Sequence, residues 1–205
     1  MSVAIRPART SDIKAIRTII DTYSLQRRLL SKETVMLYES VQEFFVAEKD
    51  GAIIGCGALH VLWEDLGEVR TVAVNEEFRS QKIGHQILTA IIERAKSLGL
   101  KRLFCLTFET EFFGKHGFNE IQGAPVEPDV YQQLLRSYDE GIAEFLDLES
   151  VKPNTLGNTR MLKILWANRG IKTQILRLLP SQIPISRACC EVRNRCRPIR
   201  RPLIR

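Results

Sequence analysis

The chain has 205 residues, of which 44% are hydrophobic and 7% aromatic, with 30 Lys and Arg against 24 Asp and Glu. That suffices for a self-contained core, because a domain of about 150 residues buries roughly 70% of its unfolded surface, and the composition excludes wholesale disorder. No apolar run reaches the ~18–20 residues of a bilayer crossing, the start MSVAIRPART lacks a secretory core, and five cysteines without a C-x-x-C pair exclude a disulfide scaffold or zinc ribbon, so a cytoplasmic location is expected.

In chain order, Val3–Arg6 predicts a short strand. Thr10 or Ser11 is expected to cap the helix that follows, with Asp12 in its first turn. Ile13, Ile16, Ile19, Ile20 and Tyr23 share one helical face. A second helix is predicted over Lys32–Tyr38, and a strand over Glu43–Lys49. Asp50-Gly51 signals a hairpin whose returning strand is Ala52–Trp63. Val69–Val74 is the next strand. Ile83–Leu98 is an amphipathic helix, stopped by Gly99. Arg102–Phe108 is almost wholly apolar, as a strand covered on both faces should be. Glu111–His116 predicts a turn of helix with His116 as its cap. Tyr131–Ser137 predicts another helix, and Ile142–Leu148 a last strand. The pattern is α/β: an antiparallel N-terminal meander, then a strand–helix–strand crossover that makes strands 69–74 and 102–108 parallel neighbours or near neighbours.

Residues 1–165 form the expected domain and carry 20 basic and 23 acidic residues. Residues 166–205 carry nine Arg, one Lys and one acid, with four prolines from Pro180 onward. This basic Arg/Pro-rich segment has no period that would build a core and is expected to be disordered. The net charge of +6 is therefore the tail's, and total charge is no argument for nucleic-acid binding. An inert or aberrant extension ranks ahead of an arm for nucleic acid or an anionic membrane.

The stretch Glu68–Leu88, EVRTVAVNEEFRSQKIGHQIL, carries the most chemistry. A strand enters a loop with Arg79, and Gly84 stands at the mouth of a long helix. Amides at a helix N-terminus, beside an arginine, suit a pyrophosphate. Further along, LFCLTF is followed by EFFGKHGF. With EVRTVAV, RLFCLTFETEFFGKHGF and FLDLESVKPNTLGNTRML, residues 1–165 resemble the acetyl-CoA-dependent GNAT acetyltransferases. Within them the chain is most similar to the short stand-alone N-acetylglutamate synthases.

The resemblance implies a mixed central sheet with helices on both faces, whose parallel strands 69–74 and 102–108 splay apart. It implies acetyl-CoA as co-substrate, L-glutamate as acceptor and a homodimer. The family's phosphate loop reads Gln/Arg-x-x-Gly-x-Gly/Ala. Here Arg79 and Gly84 match, while Lys82 stands at the first glycine. The amides of Gln81, Lys82, Ile83, Gly84 and His85 are expected to hold the pyrophosphate. The backbone of Val72, Ala73 and Val74 is expected to hold the pantetheine arm. Phe113 stands where many members have a tyrosine acid, which leaves Thr107 as the nearest hydroxyl, or simply a strand threonine.

Acetylation of an amine needs a base, because only the neutral amine attacks. Glu68, at the entry to the splayed strand, is the candidate, against a plain strand-end carboxylate. Arg27, Arg28, Lys32 and Arg70 are candidates for the carboxylates of glutamate, with bidentate arginine suiting both ends. Arg28 and Lys32 also read as solvated helix charges. Cys56, Cys105, Met36, Met161 and Trp63 read as core. His60, His85 and His116 lack metal spacing, so no metal is expected. Competing readings are another amino-acid or protein-amine acceptor, and a non-catalytic acyl-CoA or nucleic-acid module.

Overall fold

The computed structural model describes residues 2–25, 29, 32–137, 139, 142, 145–146 and 157–165. The tail 166–205, and Arg27 and Arg28, lie outside these residues.

Seven strands form one sheet in the order β1-β2-β3-β4-β5-β7-β6. They are β1 (Ala4–Pro7), β2 (Phe44–Lys49), β3 (Ala52–Trp63), β4 (Leu66–Val74), β5 (Arg102–Thr107), β6 (Asn119–Glu120) and β7 (Thr159–Ile164). The helices are α1 (Ile13–Leu25), α2 (Thr34–Glu39), α3 (Ile83–Ser97), α4 (Thr110–Gly114) and α5 (Pro128–Leu134). Every pairing is antiparallel except β4 with β5. The Asp50-Gly51 hairpin forms as its sequence predicts, with φ of +52° and +79°, the left-handed pair that a two-residue turn requires.

Helix α1 buries Ile13, Ile16, Ile19, Ile20 and Tyr23 against the sheet face that also holds Leu37, Phe44 and Val46. Its entry differs from the expected cap. A 3-10 turn, Thr10–Asp12, precedes it, and the Asp12 carboxylate accepts the Arg9 N–H at 2.7 Å. The Arg6 guanidinium holds that carboxylate at 2.7 and 3.1 Å. A charged acceptor fixed by an arginine outcompetes the Thr10 and Ser11 hydroxyls. On the opposite face α3 buries Ile83, Ile87, Leu88, Ile91, Ile92 and Ala95. Leu98 falls past the last turn and is exposed, and Leu100 enters the core instead. Gly57 permits the close approach of α3 to β3: a Cβ there would lie 2.8 Å from Ile87 and 3.0 Å from Ile91.

The strand expected over 142–148 is not borne out at its described residues. Ile142, Phe145 and Leu146 are helical and buried, at the i, i+3, i+4 spacing of one helix face. Phe145 packs edge-on against Phe104 at 4.9 Å. The last strand is β7, inserted between β5 and β6 with Met161 buried in the core. The helix predicted over Tyr131–Ser137 begins earlier, at Pro128, where proline suits the first turn.

Candidate active site

Strands β4 and β5 pair only over Leu66–Glu68 with Arg102–Phe104. Beyond Glu68 the strands diverge, so the predicted parallel contact sits just before residue 69 and residues 69–74 form the open half. The cause lies on the other edge of β4. Cys56 pairs with Ala73 and Ala58 with Arg70, so Thr71 and Val72 together face the single Gly57. This β-bulge twists the strand locally. Thr71 sits at φ +57°, a conformation that a β-branched residue rarely adopts, so strain is concentrated where the strand opens. No glycine at 71 announces the bulge in the sequence.

The opening is a cavity of about 630 Å³. Its two ends differ in chemistry. At one end lie Arg79, Ser80, Lys82, Gly84 and His85, at the mouth of α3. The first α-helical bond that enters from the cap runs from Gln86 N–H to Lys82 C=O, and no side chain caps the helix. The amides of Ile83, Gly84 and His85 thus lie in the first turn, where helix amides lack intrahelical partners. A Cβ at Gly84 would meet nothing closer than Phe112 at 3.5 Å, an ordinary contact. Packing within the protein does not demand glycine there, and its absent side chain leaves room for a ligand at the amides. The residues therefore fit a pyrophosphate-bearing cofactor. Gln81 is exposed and does not line the cavity.

Lys82, in place of the expected glycine, adopts φ +61°, and Ser80 φ +66°. The left-handed region costs a non-glycine residue roughly 1–2 kcal/mol, partly offset by glycine's greater freedom when unfolded. Lys82→Gly should therefore stabilise the protein by about 0.5–1 kcal/mol, read as a raised Tm. A lowered Tm would mean that the lysine side chain contributes contacts outweighing its strain.

Midway along the cavity the backbone of β4 is available. Asn75 N–H donates to Ile54 C=O across to β3, so by strand alternation Val74 directs its backbone groups toward the gap. The Tyr23 hydroxyl donates to Val74 C=O at 2.5 Å, and Arg79 reaches the same hydroxyl at 3.3 and 3.4 Å. Tyr23 thus belongs to the site as well as to the core face of α1. The signal was available: a buried tyrosine's hydroxyl needs a partner. Val72 packs against the α3 side of the sheet and Ala73 against the α1 side. Thr107 is buried, and its Oγ1 accepts the Glu109 N–H at 2.9 Å, which leaves its own O–H to donate elsewhere. Phe113 is buried against Phe112 and Phe118 and lines the wall without any hydrogen-bonding group.

The other end of the cavity is charged. Glu68 is 4% exposed. Its Oε2 accepts from Arg70 Nε at 2.6 Å, while the two terminal nitrogens of Arg70 grip Asp139 at 2.7 and 3.1 Å. Burial pushes the Glu68 carboxyl above its ordinary pKa, opposed by Arg70. Arg70 was expected to bind an acceptor carboxylate; instead all three of its nitrogens engage protein carboxylates. Lys32 also lines this end, and burial together with Arg70 pulls its pKa below the ordinary lysine value. Met36, read as core, is 42% exposed and lines the cavity beside it. Asp139, in the polar run SYDE, gave no signal in the sequence.

The Asp139 carboxyl is lowered from 3.8 to about 2; burial opposes the fall, and the hydrogen bonds and charge of Arg70 outweigh it. A lowered carboxyl stabilises the fold above its unfolded pKa and loses that stability as pH falls through the folded one. Between pH 4 and 2 the protein should lose about 2 kcal/mol through this group. Urea unfolding at pH 6 and pH 3 should show a smaller pH difference for Asp139→Asn than for the native chain. An unchanged difference would remove Asp139 from the acid response.

His116 does not cap its helix. Its Nε2 lies 2.8 Å from His85 Nδ1, so the two rings share one proton between them, and His85 packs on Phe112. Burial, then His85 and Lys163, lower the His116 pKa. Cys56 and Cys105 are buried free thiols, with Cys56 pushed up to about 12 by desolvation, so neither is a ready nucleophile. Among the described residues no group of three His, Cys, Asp or Glu could hold a metal, and no helix is long and apolar enough to cross a membrane.

Residues 13–118 match the model of the Acetyltransferase (GNAT) family. The chain is 56% identical over 164 residues to an amino-acid acetyltransferase of Mycobacterium tuberculosis, covering 78% of this chain and 94% of that one. A solved Mycobacterium tuberculosis structure in complex with CoA and NLQ superposes with a TM-score of 0.77 at 55% identity, over 80% of this chain and 99% of that one. N-acetylglutamate synthase from Neisseria gonorrhoeae, complexed with coenzyme A and N-acetyl-glutamate, gives 0.65 at 27% identity, over 82% of this chain but 36% of that longer one.

Proposed function

The chain belongs to the acetyltransferase (GNAT) family as an amino-acid acetyltransferase that uses acetyl-CoA, and from that premise we propose that it acetylates the α-amine of L-glutamate. The product would be N-acetylglutamate, formed in the cytoplasm as the first step of arginine biosynthesis. The observation that carries this reading is the charged end of the cavity. Lys32 is there, half-buried and with no ion pair among the described residues, beside a buried carboxylate whose pKa is raised.

In this reading the amides of Lys82 to His85, with Arg79, hold the pyrophosphate. To reach it, Arg79 leaves the Tyr23 hydroxyl. The pantetheine arm bonds the β4 backbone from Val72 to Val74 and brings the thioester into the gap beside Thr107. Glu68 takes one proton from the ammonium of the acceptor. The neutral nitrogen attacks the thioester carbonyl, forming the C–N bond and a tetrahedral oxyanion that a β4 amide stabilises. Collapse breaks the C–S bond. The amine's second proton goes to the departing thiolate, with the Thr107 hydroxyl as its carrier. Phe113 walls the sulfur site without donating a proton. Lys32 pairs with an acceptor carboxylate, and Arg27 and Arg28 supply the second.

An acceptor with one carboxylate, such as glutamine, is the second reading. The commitment of Arg70 to Glu68 and Asp139 favours it by removing one cation from the acceptor wall. Thiol release from acetyl-CoA against a panel of amino acids tests both. Glutamate-dependent release supports the proposal, and a glutamine preference supports the second reading. Release with neither, while acetyl-CoA binds, overturns both.

A further inference from the structure

Acetylation of an ammonium group liberates two protons from nitrogen. One ends on the thiol of coenzyme A, and the other must reach solvent in every turnover. If Glu68 receives it, as proposed above, the proton arrives on a carboxyl that is 4% exposed and cannot stay there. Across the sheet from Glu68 stand His60 and its hydrogen-bond partner Glu43.

His60, on β3, is the register partner of Glu68 on β4. Directly opposed residues of an antiparallel pair carry their side chains on the same face, with Cβ atoms about 4.5–5.5 Å apart. His60 Nδ1 lies 2.7 Å from Glu43 Oε1, and its Nε2 lies 3.9 Å from Asp139 Oδ2. The Glu43 carboxylate only accepts, so the proton of this bond sits on His60 Nδ1. The separation of Nε2 from Asp139 is too long for a hydrogen bond, so Nε2 has no committed partner there. The groups that face the ring are the carboxyls of Glu43, Glu68 and Asp139; Arg70 holds the last two, and Lys32 feels the charge of all three. Glu43 and His60 have side chains 24% and 20% exposed, which gives the chain of groups its contact with water.

We infer that His60 and Glu43 form a proton relay that returns Glu68 to its basic state after each turnover. The proton passes from the Glu68 carboxyl to His60 Nε2. The imidazolium passes its Nδ1 proton to Glu43 and so to solvent, and the ring regains its resting tautomer by exchange with water. No electrons move, and one proton leaves per amide bond made. His60 touches neither substrate in this scheme and acts through Glu68. His60 has no metal spacing in the sequence, and only the register across β3 and β4 places it opposite Glu68.

The relay rests on the assignment of Glu68 as base, and the test separates the two. His60→Ala should lower kcat by about tenfold or more in dilute non-coordinating buffer, within the range of acid–base effects, and leave the KM for acetyl-CoA near its native value. Added imidazole should restore kcat in proportion to its concentration. A set of substituted imidazoles should do so in the order of their pKa values. Glu43→Gln keeps a hydrogen-bond acceptor for Nδ1 but takes up no proton, and should show the same buffer-dependent loss. A loss that no buffer rescues in either variant would mean that the pair only supports the fold. Undiminished kcat in dilute buffer for both variants would also overturn the relay. If Glu68→Gln retains native turnover, the base assignment itself has failed, whatever the His60 variants do.

Discussion

Glu68→Gln should lower kcat by about two to four orders of magnitude, the usual range for removing a positioned base. Binding of acetyl-CoA should be almost unaffected, because Glu68 lies at the far end of β4 from the α3 mouth. The amide oxygen of glutamine still accepts from Arg70 Nε, so the fold keeps the contact that Glu68 makes at 2.6 Å, and Tm should move little. The pH dependence gives an independent check. Burial raises the Glu68 pKa above its ordinary 4.5, and a base works only when ionised. The native kcat/KM should therefore fall as pH drops through that raised value, about tenfold per unit below it. The glutamine variant should lose this limb. A variant that keeps both the native kcat and the acid limb would show that another group, or water alone, takes the proton.

The sequence made the frame of the molecule legible wherever a period or a turn signal recurred. The spacings in α1 and α3, the Asp50-Gly51 hairpin and the apolar run of β5 each reflect local chemistry that the tertiary structure leaves unchanged. The end of the cavity at the mouth of α3 was legible for the same reason: an arginine, a glycine and a helix start are neighbours in the chain. The charged end was not. Glu68, Arg70 and Asp139 are joined across 69 residues, and no local pattern predicts which carboxylate an arginine will find. The β-bulge at Thr71 was equally silent, since threonine there has none of the conformational freedom that a glycine would advertise. Ile142, Phe145 and Leu146 fit a short strand as readily as one helix face, and their local pattern does not distinguish the two. A charge in an apolar strand must be paired, and the partners of Arg70 are the protein's own carboxylates, Glu68 and Asp139.

That pairing sets the second large effect. Arg70→Ala removes the partner of one buried carboxylate and one half-buried one at once. Breaking a buried ion pair from one side costs about 3–5 kcal/mol, because the charge left behind has lost both water and counter-ion. Glu68 then escapes the penalty by protonating, since its depth in the sheet favours the neutral form and Arg70 was the group opposing that. The variant should therefore show a markedly lower Tm. It should also show reduced kcat at neutral pH, with the acid limb of its pH profile moved upward and activity partly recovered at higher pH. Arg70→Lys should not restore the native profile, because one ammonium cannot serve Glu68 and both oxygens of Asp139 together. A direct acceptor ligand would behave differently: the KM for glutamate would rise while kcat, Tm and the pH limb stayed in place. Observing that second pattern would mean that Arg70 leaves its two carboxylates when the acceptor enters, and that the acceptor wall gains a cation by exchange.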